Sequence, residues 1–107
     1  MQLPRLMRVL AAAVLALGAG LVAAQDASSA LHLRTLAAAC ASCHGSDGKA
    51  ADGSSMPPLA GMPRETMVAA MAGFKNGSRA ATVMHQLSKG LSDAQIERLA
   101  TYFAAVR

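Results

Sequence analysis

A Cys-x-x-Cys-His run at residues 40–44 constrains this chain more than any other feature of its sequence. The run contains Cys40 and Cys43, the two cysteines of the chain, and His44 follows directly. Two thiols at this spacing can form thioether bonds to the two vinyl groups of a haem, and the adjacent histidine then faces the iron. The run therefore predicts one covalent haem c, attached at Cys40 and Cys43, with His44 as the first axial ligand of the iron.

The first 24 residues have the composition of a cleavable signal peptide. Arg5 and Arg8 form a basic start, and Val9 through Ala24 are all apolar or glycine and end in small residues. This apolar stretch is shorter than the ~20 residues that span a bilayer. We therefore predict a signal peptide over residues 1–24, cleaved near Ala24, and one exported periplasmic domain over residues 25–107. After cleavage we expect no membrane association.

The composition of the remaining chain excludes some classes of partner and favours a bound cofactor. Without Arg5 and Arg8, eight basic residues face six acidic ones, with no basic run and no interleaved aromatic stripe, so we expect no nucleic-acid binding. A domain of this size buries a marginal apolar core and usually depends on a staple or a cofactor. We expect the chain without haem to be largely unfolded.

The apolar periodicity predicts an all-α fold with about four short helices. The first begins at Ser28 or Ser29 and ends near Ala39, with apolar contacts from Leu31, Leu33 and Leu36. Glycines and prolines then predict a loop over 44–61. The second helix begins at Pro63 and ends at Asn76 before Gly77, and its apolar face is formed by Met67, Val68, Met71 and Phe74.

Two further helices are predicted after residue 80. A short helix covers residues 82–89 and ends at Gly90. The last helix begins with a capping box formed by Ser92 and Gln95. Its apolar face is formed by Ile96, Leu99, Phe103 and Val106.

The second axial ligand is less directly specified than His44. Apart from the motif, the candidates are Met56, Met62, Met67, Met71, Met84, His32 and His85. Met84 is separated from His44 by a loop and a whole helix, a length that lets the chain return to the opposite face of the haem. We therefore predict Met84 as the ligand, with His85, otherwise expected to be an exposed helical histidine, as its main rival. Ligation by histidine and methionine leaves the iron no open site and raises its reduction potential.

Four segments resemble a known family over residues 28–107. They are Pro57-Pro58-Leu59-Ala60-Gly61, Phe74-Lys75-Asn76-Gly77-Ser78-Arg79, Ala81-Thr82-Val83-Met84 and Lys89-Gly90-Leu91-Ser92-Asp93. Together with the haem motif they resemble the class I cytochromes c, and most of all the cytochrome subunit of flavocytochrome c sulfide dehydrogenase. The resemblance implies a monohaem cytochrome c domain, with short helices wrapped around the haem.

The resemblance also implies roles for individual residues. The carbonyl of Pro57 would accept a hydrogen bond from the Nδ1–H of His44 and fix the orientation of the ring. Met84 would be the axial ligand, as the spacing also predicts. The chain would be an electron-transfer protein with no catalytic residues of its own, accepting electrons from a flavoprotein subunit that oxidises sulfide.

Several alternatives stay open at this point. The chain could be a freely diffusing cytochrome that serves an oxidase or another dehydrogenase. Independently of this choice, Lys49, Lys75, Arg79 and Lys89 could ring the exposed haem edge and steer an acidic partner, or they could form a solvated face with no docking role. More remote readings are a Cu(I)-binding or thiol-redox module that uses Cys40 and Cys43, and a haem enzyme or gas sensor with an open sixth site. Zinc would need four good ligands, which this motif does not supply.

Overall fold

The computed structural model describes residues 3–107 and confirms the predicted all-α fold. Its described part contains no strand. The helices are α1 (Leu3–His44), α2 (Arg64–Asn76), α3 (Met84–Lys89) and α4 (Asp93–Ala105), with a short 3-10 helix at Ser46–Gly48 between α1 and α2. By compactness the chain divides into two units, the residues up to His32 and the residues from Leu33 to Arg107.

Helix α1 is longer than predicted at both ends. No helix begins at Ser28 or Ser29, because α1 already includes both residues and ends only at His44. The chain has no proline between Pro4 and Pro57 and is rich in alanine and leucine here, so no residue forces the helix to stop. Residues 40–44 therefore form the C-terminal end of α1, and His44, predicted at the start of the loop, is helical.

The apolar part of α1 has the length and composition of a membrane span. The helix from Pro4 to His44 is long and apolar enough to cross a bilayer by length and composition, and its most apolar stretch is not buried. A signal sequence near an N-terminus can have the same length and composition. Cleavage after Ala24 stays a prediction.

The remaining helices begin and end close to the predicted residues. Helix α2 begins one residue after Pro63, and Gly77 ends it in the left-handed conformation (φ 80°) that glycine adopts without strain. Helix α3 begins at Met84, two residues later than predicted. Helix α4 has the predicted capping box, in which the Ser92 hydroxyl accepts from the Gln95 N–H and the Gln95 side chain accepts from the Ser92 N–H.

The core of the second unit is small. Its buried apolar members come from α1, α2 and α4 and are Ala37, Met67, Leu99, Ala100 and Phe103. Leu33 and Leu36 pack against them as predicted, whereas Leu31 is 68% exposed, so its predicted contact is wrong. Helix α2 packs against both α3 and α4. Several large apolar side chains, among them Val68 and Met71, are only half-buried around this core.

Candidate functional site

The two motif thiols lie at the C-terminal end of α1. Cys40 and Cys43 are three residues apart on the helix, so they lie on neighbouring positions of one face. Cys40 is half-buried and its thiol contacts the Leu36 carbonyl (Sγ–O 3.9 Å), whereas Cys43 is exposed; both are free thiols. Burial raises the pKa of the Cys40 thiol above its ordinary value of 9.0, although a backbone hydrogen bond opposes this effect. Burial therefore works against ionisation of the Cys40 thiol.

His44 is the last residue of α1 and its side chain is buried. Its Nδ1 lies 2.7 Å from the carbonyl oxygen of Pro57, thirteen residues later in the chain. A carbonyl oxygen only accepts hydrogen bonds, so Nδ1 carries the hydrogen and donates it to Pro57. In the neutral ring the lone pair is then on Nε2, the nitrogen that remains available for a metal ion.

The loop between His44 and Pro57 turns at glycines with positive φ. Gly45 (φ +86°) lies so close to the Lys49 carbonyl that a Cβ would overlap its oxygen. Gly48 (φ +73°) packs against Leu59 and Phe103, and its carbonyl accepts hydrogen bonds from the N–H groups of Leu59 and Ala60. These contacts hold both sides of the loop against the core. The Pro57 carbonyl is thereby kept within hydrogen-bond distance of His44 Nδ1.

Met84 is the first residue of α3 and its side chain is half-buried. Within residues 3–107, neither Met84 nor the half-buried Met56 and Phe74 belongs to the apolar core or packs against it. His85 is half-buried as well, and not exposed as expected of a helical surface histidine. Its Nδ1 is fully buried and has no hydrogen-bond partner among the described residues.

These residues fit a covalent haem. The donor set consists of two free thiols at thioether spacing, a buried imidazole whose Nδ1 is already occupied, and a thioether sulfur on a different helix. Half-buried apolar side chains outside the core suit contact with a large apolar group. By contrast, no group of three or more His, Cys, Asp or Glu side chains in residues 3–107 is arranged to hold a metal ion.

The four basic residues considered for partner docking differ in their surroundings. Lys75 donates to Asp93 (Nζ–Oδ1 2.9 Å), and the Arg79 guanidinium lies 5.1 Å from the centre of the Phe74 ring. Lys49 and Lys89 are exposed. Two of the four charges are thus partly engaged within the protein.

The sequence interpretation missed two elements that position the site. One is Gly48, whose contact with Phe103 fixes the loop after the motif. The other is Tyr102, whose hydroxyl donates to Asp47 (3.2 Å) and so connects α4 to the same loop. Gly45 and Gly48, three residues apart after His44, could have indicated the tight turn. No local pattern indicated a contact between residues 55 positions apart.

Comparison with protein families gives a match over most of the second unit. The matching family model is described as cytochrome C oxidase, cbb3-type, subunit III, and it covers residues 33–103. This range begins at the first residue of the second compact unit.

Comparison with individual proteins finds cytochromes and an electron acceptor among the relatives. The chain is 41% identical over 68 residues to the cytochrome subunit of sulfide dehydrogenase of Chlorobaculum tepidum, covering 64% of this chain and 60% of that protein. It is 37% identical over 71 residues to a thiosulfate dehydrogenase electron acceptor of Thiomonas intermedia, covering 66% of this chain and 33% of the relative. It is 41% identical over 66 residues to cytochrome c-553 of Desulfomicrobium norvegicum, covering 59% of this chain and 80% of the relative.

A solved structure shows the same fold. It is the cytochrome c4 of Acidithiobacillus ferrooxidans, with a TM-score of 0.59 and 37% sequence identity over 64% of this chain and 38% of the other. The chain thus spans less than two thirds of the sulfide dehydrogenase subunit and a third of the thiosulfate dehydrogenase electron acceptor.

Proposed function

Because the chain belongs to the cytochrome c family and therefore carries covalent haem c, we propose that it is a periplasmic one-electron carrier in which His44 and Met84 ligate the iron. The observation that carries this proposal is the hydrogen bond from His44 Nδ1 to the Pro57 carbonyl. It fixes the ring and its tautomer and leaves Nε2 for the iron. The haem supplies reversible one-electron chemistry at iron; the residues of the chain attach it, orient its ligands and limit access of water.

Cys40 and Cys43 would attach the haem through thioether bonds. Their spacing on the last turn of α1 directs both thiols to one side of the helix, and His44 continues directly from them. The raised pKa of Cys40 disfavours the alternative of a thiol-redox module, which depends on a thiol that ionises easily.

Met84 is proposed as the second axial ligand. Its half-buried position at the start of α3, outside the apolar core, supports this role. The Ala81–Met84 segment supports it as well, because it resembles the segment that carries the ligand methionine in the related cytochromes. Met71 is the matched control, because it is a half-buried methionine that does pack against the core. The filler role usual for methionine therefore suits Met71 better than Met84.

The test is the far-red sulfur-to-iron absorption band of the ferric protein. Met84→Ala should abolish the band, because no sulfur would then ligate the iron, and Met71→Ala should keep it. The wild-type ferrous protein should also not bind carbon monoxide at neutral pH. Survival of the band in Met84→Ala would exclude Met84, and carbon monoxide binding by the wild type would favour the open-site alternative.

We further propose that the electron donor is the flavoprotein subunit of a sulfide dehydrogenase. The similarity to the Chlorobaculum tepidum subunit supports this donor, and the flavin and the sulfur chemistry would belong to the partner. The rival is a freely diffusing carrier, supported by the similarity to cytochrome c-553. Co-purification of the tagged chain with a flavin-containing polypeptide from its own host would decide for the subunit, and isolation without flavin would favour the free carrier.

The proposal includes export of the chain and cleavage of its N-terminal segment. Removal of residues 1–24 would release the cytochrome domain, residues 25–107, into the periplasm without a membrane anchor. The mass of the holoprotein from the periplasmic fraction should correspond to a chain that begins at Gln25 and carries one haem. Recovery of the full-length chain in the membrane fraction would instead mean that the apolar helix is retained.

A further inference from the structure

Two large apolar side chains are exposed on α3, next to the proposed ligand Met84. Val83 and Leu87 are 47% and 53% exposed, and no other large apolar side chain in residues 33–107 is exposed. The Leu87 N–H donates to the Val83 carbonyl (3.2 Å), so the two side chains lie one helical turn apart on one face. A single exposed leucine is ordinary on a protein surface, but two neighbours on one helix face form an apolar spot.

The charged residues on this side of the chain are all basic. Residues 66–92 contain no acidic residue, and their cations are Lys75, Arg79 and Lys89. Asp93, just after this segment, pairs with Lys75 (Nζ–Oδ1 2.9 Å) and offsets its charge. The charges of Arg79 and Lys89 therefore set the sign of the field around α3.

Both of these cations lie close to the apolar spot. Arg79 and Lys89 are exposed, and they stand four residues before Val83 and two residues after Leu87. Four residues span at most about 14 Å of backbone, and the side chains themselves are long. The contact of the Arg79 guanidinium with the Phe74 ring leaves its charge unchanged. The apolar spot thus has a cation at each end.

An apolar spot between two cations favours one kind of occupant, a protein surface with an apolar centre flanked by carboxylates. Opposite charges speed the approach of such a partner and orient it, and the apolar contact adds affinity. The spot is small, which suits a brief complex, because encounters between redox proteins bury the least area among specific interfaces. A twofold contact with a second copy would bring equal charges together. An anionic membrane is usually recognised by four or more clustered cations.

We propose that Val83 and Leu87, flanked by Arg79 and Lys89, form the docking surface for an acidic redox protein. We call these four residues the α3 surface. The proposal rests on the proposed function, in which the chain transfers electrons and Met84 ligates the iron. Met84 follows Val83 directly, so a partner on the α3 surface contacts the helix that carries the ligand.

The experiment measures electron transfer from the hydroquinone of flavodoxin, an acidic one-electron flavoprotein, to the ferric holoprotein. The dependence of the rate on flavodoxin concentration gives the Kd of the complex. Leu87→Gln removes apolar contact at unchanged charge and should raise the Kd about threefold to tenfold. This loss should persist between ionic strengths of about 0.01 M and about 1 M. Lys89→Gln should raise the Kd about threefold at the lower ionic strength and leave it unchanged at the higher one, where charges are screened.

Two matched controls separate the α3 surface from general effects. Gln86→Ala changes an exposed neighbour of Leu87 on the same helix and should keep the wild-type Kd. Lys49→Gln removes an exposed lysine of the loop after the haem motif, with the same change in net charge as Lys89→Gln. It should raise the Kd less than Lys89→Gln does. Equal effects of the two lysine variants would overturn the proposal, because overall charge would then suffice, and so would an unchanged Kd in Leu87→Gln.

Failure of the docking surface and failure of the haem site give different results. All the docking variants should keep the far-red band and the reduction potential of the wild type, whereas Met84→Ala tests the ligand alone. If Leu87→Gln disturbs the band, Val83→Thr gives the test instead, because it keeps the shape of the side chain and adds a hydroxyl. Val83→Thr should also raise the Kd, and an unchanged Kd would overturn the proposal.

Two further measurements test the other occupants of the α3 surface. The wild-type holoprotein should not float with phosphatidylglycerol vesicles and should sediment as a monomer. Flotation that Leu87→Gln abolishes would assign the surface to a membrane, and a dimer that Leu87→Gln dissociates would assign it to a second copy. Either result would overturn the proposal.

Discussion

His44 and Pro57 are joined by a hydrogen bond of 2.7 Å between the imidazole Nδ1 and the proline carbonyl. One partner ends a helix and the other lies in a loop, so the bond fastens the loop to the end of α1. Proline suits the position of the acceptor because its fixed φ limits the conformations of the backbone that carries the carbonyl. The bond also determines that Nε2 is the nitrogen of His44 left available to a metal ion.

Replacing Pro57 should therefore affect the haem, whereas replacing Pro63, at the start of α2, should not. Pro57→Ala and Pro63→Ala each give the unfolded chain more freedom, and we expect each to lower the free energy of unfolding by about 0.4–1 kcal/mol. Only Pro57→Ala should loosen the bond to His44, make the imidazole a weaker electron donor and raise the reduction potential. Denaturant unfolding and redox titration measure the two effects, and equal potentials in both variants would contradict this role of Pro57.

Gly48 should tolerate substitution less than Gly53, a glycine of the same loop that faces open space. Gly48 and Gly53 have nearly equal positive φ angles (+73° and +76°), so alanine is strained by a similar amount at both. A Cβ on Gly48 would also stand 2.8 Å from the Leu59 Cβ and 2.9 Å from the Phe103 ring, whereas Gly53 faces open space. We expect Gly48→Ala to cost roughly 1–3 kcal/mol more stability than Gly53→Ala. Equal losses in denaturant unfolding would mean that the loop shifts freely away from the core.

Much of the fold could be predicted from local signals. The capping box of Ser92 and Gln95 and the stop at Gly77 are each specified by residues within one helical turn, and the structure has both. The start of α1 was predicted wrongly, because the serines that could cap a helix lie within a longer run of strong helix formers. A capping residue starts a helix only where the preceding residues are not already helical.

Long-range contacts were the part of the site that local signals did not specify. The bond between His44 and Pro57 was predicted only through resemblance to a family, and the bond between Tyr102 and Asp47 was not predicted. Both depend on how the loop after the motif lies against α4. That arrangement follows from the packing of Gly48 on Phe103, which no pattern in the sequence reports.

The small size of the core predicts that the chain depends on its haem for folding. The buried apolar cluster contains few large side chains, with Met67, Leu99 and Phe103 among them, and many others are only half-buried. Cys40→Ser/Cys43→Ser should prevent covalent attachment and leave a largely unfolded chain, since the apolar area buried without haem is too small to offset the conformational entropy. Circular dichroism of this variant should show no cooperative thermal transition. A cooperative transition would mean that the polypeptide alone suffices.

Tyr102 gives a pH-dependent test of the contact between α4 and the loop. Burial, followed by the hydrogen bond to the Asp47 carboxylate and its charge, raises the pKa of Tyr102 above its ordinary value of 10.0. The folded protein therefore holds the phenol proton more tightly than the unfolded chain, and stability should fall as the pH rises from about 10 through the pKa of the folded state. Tyr102 is the single tyrosine, so its phenolate absorbance, as a difference spectrum against Tyr102→Phe, reports this pKa alone. Asp47→Asn should lower the pKa towards the ordinary value, because it removes the charge, and Tyr102→Phe should lose the fall in stability. Identical titration curves for the wild type and Asp47→Asn would show that Asp47 does not act on Tyr102 in solution.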